Sequence, residues 1–174
     1  MGLVGKDNTM EKVIVKELSH DAFRPYGEYC DLLNPRNPLY AQGQPQFYSD
    51  IQRINTEIAG GLSVSVGLEN KRESNMIEFA EFHSHTDEGM LPLDGDVIVH
   101  LAPATGKKLP PFSNFEAFLI PAGTFITIRQ GVWHGCQLPV EKETVRSLIL
   151  LPEMTYANDT YCYFFEKDQR ICIE

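Results

Sequence analysis

The stretch Met76–Leu101, MIEFAEFHSHTDEGMLPLDGDVIVHL, carries most of what the sequence says about its fold. Short strand-like runs extend from Met76 to His85 and again from Asp96 to Leu101, with the turn formers Asp94-Gly95-Asp96 at their junction. Short apolar runs bounded by turn residues mark strands; a helix needs a longer run with 3.6-residue periodicity. The pattern extends both ways. Val13-Ile14-Val15 and Leu62–Val66 precede it, and Phe115–Ile120, Phe125–Ile128 and Arg146–Leu151 follow. Gly60-Gly61, Gly106, Pro110-Pro111, Pro121-Ala122-Gly123, Gly131 and Pro139 separate the runs. Leu62, Val64 and Val66 fall on one face of their strand and Ser63 and Ser65 on the other, the alternation of a strand with its apolar face on a core. From Asp159 onward Tyr161, Tyr163 and Phe165 alternate in the same way. Helix signals are few: Ser19–Phe23 predicts one capped turn ended by Pro25, and Asn34–Gln46, with Pro35, Pro38, Gly43 and Pro45, reads as a loop. The expected architecture is an all-β sandwich or barrel with few short helices.

The length of 174 residues fits one domain, expected over residues 11–174 behind a mobile polar leader, residues 1–10. Fifteen Lys and Arg face 24 Asp and Glu, a net charge of -9. That sign repels phosphate backbones and anionic headgroups, so neither nucleic acid nor membrane is expected as a partner. No apolar run approaches the roughly 18 residues of a membrane span, and the first ten residues lack the apolar core of a secretory signal. The four cysteines show no CxxC spacing. A cytoplasmic protein with reduced thiols is the expectation.

Chemistry gathers in Glu81-Phe82-His83-Ser84-His85-Thr86-Asp87-Glu88. On a strand, residues two apart share a face, so Glu81, His83 and His85 would project together. Two imidazoles so placed can bind a first-row transition metal, and Glu88 can return after a turn with an oxygen ligand. A distant segment, Gly131-Val132-Trp133-His134-Gly135, offers a third histidine flanked by glycines. A lone HxH is as readily surface decoration; Glu88, the six residues from it to Gly95, and His134 tip the reading towards a metal site. Mn, Fe, Ni and Zn all tolerate these ligands, and open positions on such an ion admit a chelating carboxylate substrate. His20 and His100 lack this context and read as surface or core-edge residues.

These two segments resemble the paired motifs of the cupin superfamily, jelly-roll β-barrels. The resemblance implies a metal set of His83, His85, Glu88 and His134, with Gly95 and Gly123 as turn glycines. Two residues, not the usual three or four, separate His85 from Glu88, and His134 comes eleven after Gly123. This longer second motif is similar to that of the ureidoglycolate lyase family, cupin-fold enzymes that release urea and glyoxylate from ureidoglycolate. The matching residues are Ala22-Phe23, Tyr26-Gly27, Tyr48 with Asp50, Glu81 with His83, Leu91-Pro92-Leu93 with Gly95, Val97–Pro103, the run from Phe118, and Val132-Trp133-His134. The likeness spans roughly residues 12 to 165. Departures from that family lie at Tyr40-Ala41-Gln42-Gly43, at Gly67 in place of an arginine and at Asp94 in place of a lysine. His85 and Glu88, usually a non-ligand and a glutamine there, are expected to complete a metal set here.

The expected roles follow. Glu81 serves as general base near the ion or as a partner to a ligand, and Tyr48 as a proton donor at the barrel mouth or as an aromatic packed on the loop. Arg53 and Arg129 hold the substrate carboxylate or stand as exposed, salt-bridged arginines. Trp133, opposite in phase to His134, faces the intersheet core. The expected function is carbon–nitrogen cleavage of ureidoglycolate or of a related small hydroxy- or oxo-acid derivative. A metal-dependent sugar or sugar-acid isomerase and a non-catalytic acid-binding cupin are the alternatives. The resemblance further implies a homodimer.

Overall fold

The computed structural model describes residues 11–37 and 46–174; the expected leader, residues 1–10, and the Tyr40–Gly43 departure lie outside them. The barrel strands, in chain order, are Leu62–Asn70, Phe79–Phe82, Glu88–Pro92, Val97–Ala102, Glu116–Ile120, Thr124–Ile128, Trp133–His134 and Thr144–Pro152. The first, third, sixth and eighth of these lie in one sheet and the rest in the other. That alternation is the jelly-roll order of a cupin-type barrel.

The first sheet runs Gly27–Asp31, Thr124–Ile128, Glu88–Pro92, Thr144–Pro152, Leu62–Asn70, antiparallel throughout. The second runs Tyr161–Phe164, Phe79–Phe82, Trp133–His134, Val97–Ala102, Glu116–Ile120, with Val15–Glu17 added in parallel at its edge. A small three-stranded sheet of Lys12–Val13, Ile171–Ile173 and Met76–Ile77 supplies side chains to a core on the second sheet's outer face. Among the described residues, helix is confined to His20–Phe23, where the Ser19 hydroxyl accepts the Ala22 N–H as an N-cap, to Thr155–Asn158, and to a 3-10 turn at Phe112–Asn114.

Strand Val97–Ala102 shows how the sequence becomes a two-sided wall. All six of its residues are buried. Val97, Val99 and Leu101 point into the barrel, where they meet Phe23, Phe118, Ile126, Ile128 and Val145. Ile98 and Ala102 point outward into a second core with Ile77, Trp133, Leu138, Phe165 and Ile171. Each large side chain so buried contributes about 1.5–3 kcal/mol relative to exposure.

Four sequence expectations change. The run from Met76 to His85 is not one strand: it breaks after Ile77 and ends at Phe82. Trp133 lies in the outer core, not between the barrel sheets, because His134 takes the inward phase. His100 is buried, in phase with Ile98 and Ala102. Strand Leu62–Asn70 is turned the other way. Its apolar row Leu62, Val64, Val66 and Leu68 faces outward, while Ser65, Gly67 and Glu69 line the barrel interior.

Candidate active site

Three elements bring the site together. Phe79–Phe82 delivers His83 just beyond its end, Glu88–Pro92 opens with Glu88 on its inner face, and Trp133–His134 supplies His134. The register sets His134 beside Glu81, and Glu81 beside Cys162 on the next strand, so these side chains share the inner face. His83, Glu88 and His134 are all buried. One Glu88 oxygen, Oε2, lies 3.1 Å from His83 Nε2 and 2.9 Å from His134 Nε2. One ligand atom from each residue lies within 4.8 Å of the other two.

The far side of each ring decides what the near side presents. His83 Nδ1 lies 2.9 Å from the Asp159 carbonyl, and His134 Nδ1 lies 2.9 Å from the Val132 carbonyl. A carbonyl only accepts, so both Nδ1 atoms carry hydrogen and donate it. Each neutral ring would then turn a bare Nε2 lone pair towards the Glu88 carboxylate, an arrangement that needs a proton or a cation between them. Burial pushes His134 down, but the charge and hydrogen bond of Glu88 outweigh it and raise the ring to about 9. Burial likewise pushes Glu88 up, and His134, then His83, bring it down to about 2. The donor set, two oriented imidazoles and a carboxylate, suits a divalent first-row ion.

Glu88 and His134 border a cavity of about 160 Å³ lined also by Glu69, Glu81, Met90, Cys136, Gln137 and Tyr156 among others. Burial raises the Glu69 carboxyl, with Arg72 opposing. Burial, then Glu88 and Glu81, pushes the Tyr156 hydroxyl up to about 12, so it stays a neutral O–H donor across the working range. Among the described residues, no lysine or arginine lines this cavity.

The expected site residues divide accordingly. His83, Glu88 and His134 meet, and Glu81 lines the cavity that Glu88 and His134 border. His85 does not join them. The strand ends at Phe82, and the Asp159 carboxylate accepts the Ser84 and His85 N–H groups, turning the chain. The His85 ring is thereby exposed, with Nδ1 3.0 Å from Glu57. Arg53 and Arg129 line a different depression, with Glu28, Asn55, Asp87 and Thr127, on the outer side of the first sheet. That placement follows from Thr127, opposite in phase to the inward Ile126 and Ile128. Arg129 contacts Glu28 and donates to the Arg24 carbonyl. Tyr48 is not among the residues lining the cavity; its hydroxyl donates to Gln46 Oε1 at 3.0 Å.

Sequence reasoning missed Tyr156, Gln137 and the serine–glutamate face of Leu62–Asn70. The last was legible as the polar phase of an alternating strand. Tyr156 sits on a four-residue helix far along the chain and gave no local signal.

The family model described as Ureidoglycolate lyase matches residues 10–172. The chain belongs to the ureidoglycolate lyase family. A ureidoglycolate lyase of Rhodobacter capsulatus is 26% identical over 132 residues, covering 75% of this chain and 81% of its own. The ureidoglycolate lyase of Pseudomonas aeruginosa strain PAO1 is 21% identical over 168 residues, 95% of this chain and 97% of its own. Among solved structures, a dTDP sugar isomerase from Desulfovibrio desulfuricans G20 aligns at a TM-score of 0.45 and 14% identity, over 83% of this chain and 87% of that one. An oxalate decarboxylase–formate complex from Lactobacillus farciminis aligns at 0.43 and 15%, over 62% and 27%. The family's extent, residues 10–172, takes in His83, Glu88, His134 and every residue lining their cavity.

Proposed function

We propose that this chain is a cytoplasmic carbon–nitrogen lyase that splits ureidoglycolate into urea and glyoxylate, with a divalent metal at His83, Glu88 and His134. The observation that carries the reading is the triad itself. In a chain of this family, two imidazoles with their Nδ1–H groups fixed converge on one carboxylate, and that carboxylate and one of the imidazoles open on a small cavity.

A carboxylate substrate entering beside Glu69, Glu81 and Glu88 meets like charge unless a cation accompanies it. An ion of the Mn, Fe, Ni or Zn class at the triad would offset that charge and act as Lewis acid towards the substrate's oxygens. The chain's own groups move the protons. Glu81 accepts the proton of the carbinol hydroxyl as the carbon–oxygen double bond of glyoxylate forms. The carbon–nitrogen bond breaks, its electron pair stays with the ureido nitrogen, and the Tyr156 O–H delivers a proton there, giving neutral urea. Transfer of the Glu81 proton back to the phenolate restores both groups. Arg53 and Arg129 take no part, being on the outer side of the sheet.

The test supplies ureidoglycolate to the metal-loaded protein and assays urea and glyoxylate separately. Equimolar release, lost on chelation and regained on adding metal, is expected. Loaded protein that releases neither product but interconverts an aldose and a ketose would replace this reading with the isomerase one.

A further inference from the structure

The cavity beside Glu88 and His134 has a second end, lined by polar groups that the proposed reaction leaves idle. Gln137 is 2% exposed, and its one side-chain hydrogen bond among the described residues is to Ser147, whose hydroxyl donates to Oε1 at 2.7 Å. Ser147 is itself fully buried, so this bond fixes which way the amide points. With Oε1 taken, the Nε2 hydrogens are left to the cavity that Gln137 lines. Glu69 stands beside them. Its carboxylate folds back along its strand over Gly67, so that a Cβ built there would lie 2.9 Å from Glu69 Oε1. With no side chain at Gly67, the carboxylate has that space. Gly67 is also the register partner of Ser147, which brings the Glu69 acceptor and the Gln137 donor to one patch of the inner wall. Along strand Glu88–Pro92, Pro92 pairs with Ser147, and Glu88 lies four residues earlier. At about 3.4 Å per residue the patch sits roughly 13 Å along the barrel from the Glu88 backbone, at the far end of the cavity.

We propose that Glu69 and Gln137 form a subsite for a terminal carbamoyl group, –CO–NH2, with Gln137 Nε2 donating to its carbonyl and the Glu69 carboxylate accepting from its NH2. This rests on the lyase reading in taking ureidoglycolate, which ends in such a group, as the occupant. A donor beside an acceptor matches the edge of a primary amide, which carries an acceptor beside a donor. Other end groups satisfy half of it. A carboxylate accepts from Gln137 but meets the like charge of Glu69. An acetyl end offers the carbonyl and leaves the Glu69 oxygens without a donor. Rejection is sharp because a buried polar group left unpaired costs more than a made hydrogen bond gains. The other end of the substrate, its carboxylate and carbinol, is then left to Glu81, Glu88 and His134, the groups to which the proposed reaction assigns it. The subsite thus sets the direction in which the substrate lies.

Three probes are titrated calorimetrically into the full chain with Mn present. N-carbamoylglycine keeps the carbamoyl and carboxylate ends but has no carbinol hydroxyl, so it cannot be cleaved. N-acetylglycine replaces its terminal NH2 by methyl, and N-amidinoglycine replaces its carbonyl oxygen by a second NH2 donor. The wild type is expected to bind N-carbamoylglycine at least about tenfold more tightly than N-acetylglycine, the scale of one hydrogen bond to a charged group. Binding no better than N-acetylglycine, or none at all, overturns the proposal without any variant. Glu69→Met keeps the side chain's length and removes the acceptor, so it should bring those two affinities within about threefold. Gln137→Met removes the donor without changing charge, and should shift the ratio of N-carbamoylglycine to N-amidinoglycine affinity by about tenfold towards the amidino probe. Should that variant not fold, Ser147→Ala frees the Gln137 amide to turn its oxygen to the cavity and should shift the same ratio the same way. A merely structural role would weaken all probes alike, so unchanged ratios in the folded variants overturn the proposal. Failure of the lyase reading looks different: ureidoglycolate is then not cleaved, while the preference among the uncleavable probes stands.

Discussion

Glu88 and His85 lie three residues apart and have opposite fates. The first is buried between two imidazole nitrogens; the second is exposed beside Glu57. Glu88→Gln removes an ionic ligand while keeping the shape, so bound metal should disappear from elemental analysis and turnover fall by about 10²-fold or more. His85→Ala should leave both within roughly threefold, since it touches only exposed groups. Loss of metal in that variant would show His85 to be a ligand. Tyr156→Phe keeps the ring and deletes the proton donor, so kcat should fall by about 10²-fold with KM little changed, as initial-rate measurements would show. Three of the four expected ligands were legible because residue type and spacing encode them. His85 was misplaced because period-two reasoning holds only while the strand lasts, and Asp159, whose carboxylate turns the chain there, is more than seventy residues away.

Among the elements, Val97–Ala102 was the most readable strand, and the chemistry of its one polar residue was the least. His100 Nε2 donates to the Phe79 carbonyl at 3.2 Å, and Nδ1 has no hydrogen-bond partner among the described residues. Burial, opposed by the Phe79 hydrogen bond, pushes the ring down to about 4. The unfolded chain therefore takes up a proton near 6.5 that the folded chain refuses until about 4. Stability from this residue is complete above 6.5 and drains as pH falls towards 4. Urea unfolding of the wild type and His100→Leu at both ends of that interval should show the wild type losing roughly 2–3 kcal/mol more than the variant. Equal losses would mean that His100 ionises freely. The outer core explains why sequence reading took it for a surface or core-edge residue. A strand buried on both faces has no polar phase, and the cover comes from the chain's two ends, which no local window contains. Leu62–Asn70 shows the converse: its alternation was plain, but which face met the interior was not.

For the whole molecule, charge and fold meet at one point. Glu69, Glu81 and Glu88 together line one small cavity, part of an excess of nine acidic charges over the chain. An ion bound only by the folded triad must stabilise the fold by mass action. At about 100 times its dissociation constant the gain is about 2.7 kcal/mol, which raises Tm by about 5–10 °C in a chain of this size. Calorimetry with and without chelator would show the shift, and Glu88→Gln should abolish it. Overall class was legible because turn residues and short apolar runs repeat along the whole chain. The closing of two sheets around the triad depends on pairings between distant strands, and those had to be seen.

Asp159 ties that closure to the order in which the chain is made. Its carbonyl holds His83, 76 positions earlier, and its carboxylate caps the two amides that follow His83. A nascent chain that had already exposed His83, Glu88 and His134 would still lack the group that aims the first of them. Metal capture at the proposed site would therefore be a late event of biosynthesis, completed only after Asp159 has left the ribosome. A truncated product ending before residue 159 is expected to bind the proposed metal more weakly, because nothing would then fix the His83 ring.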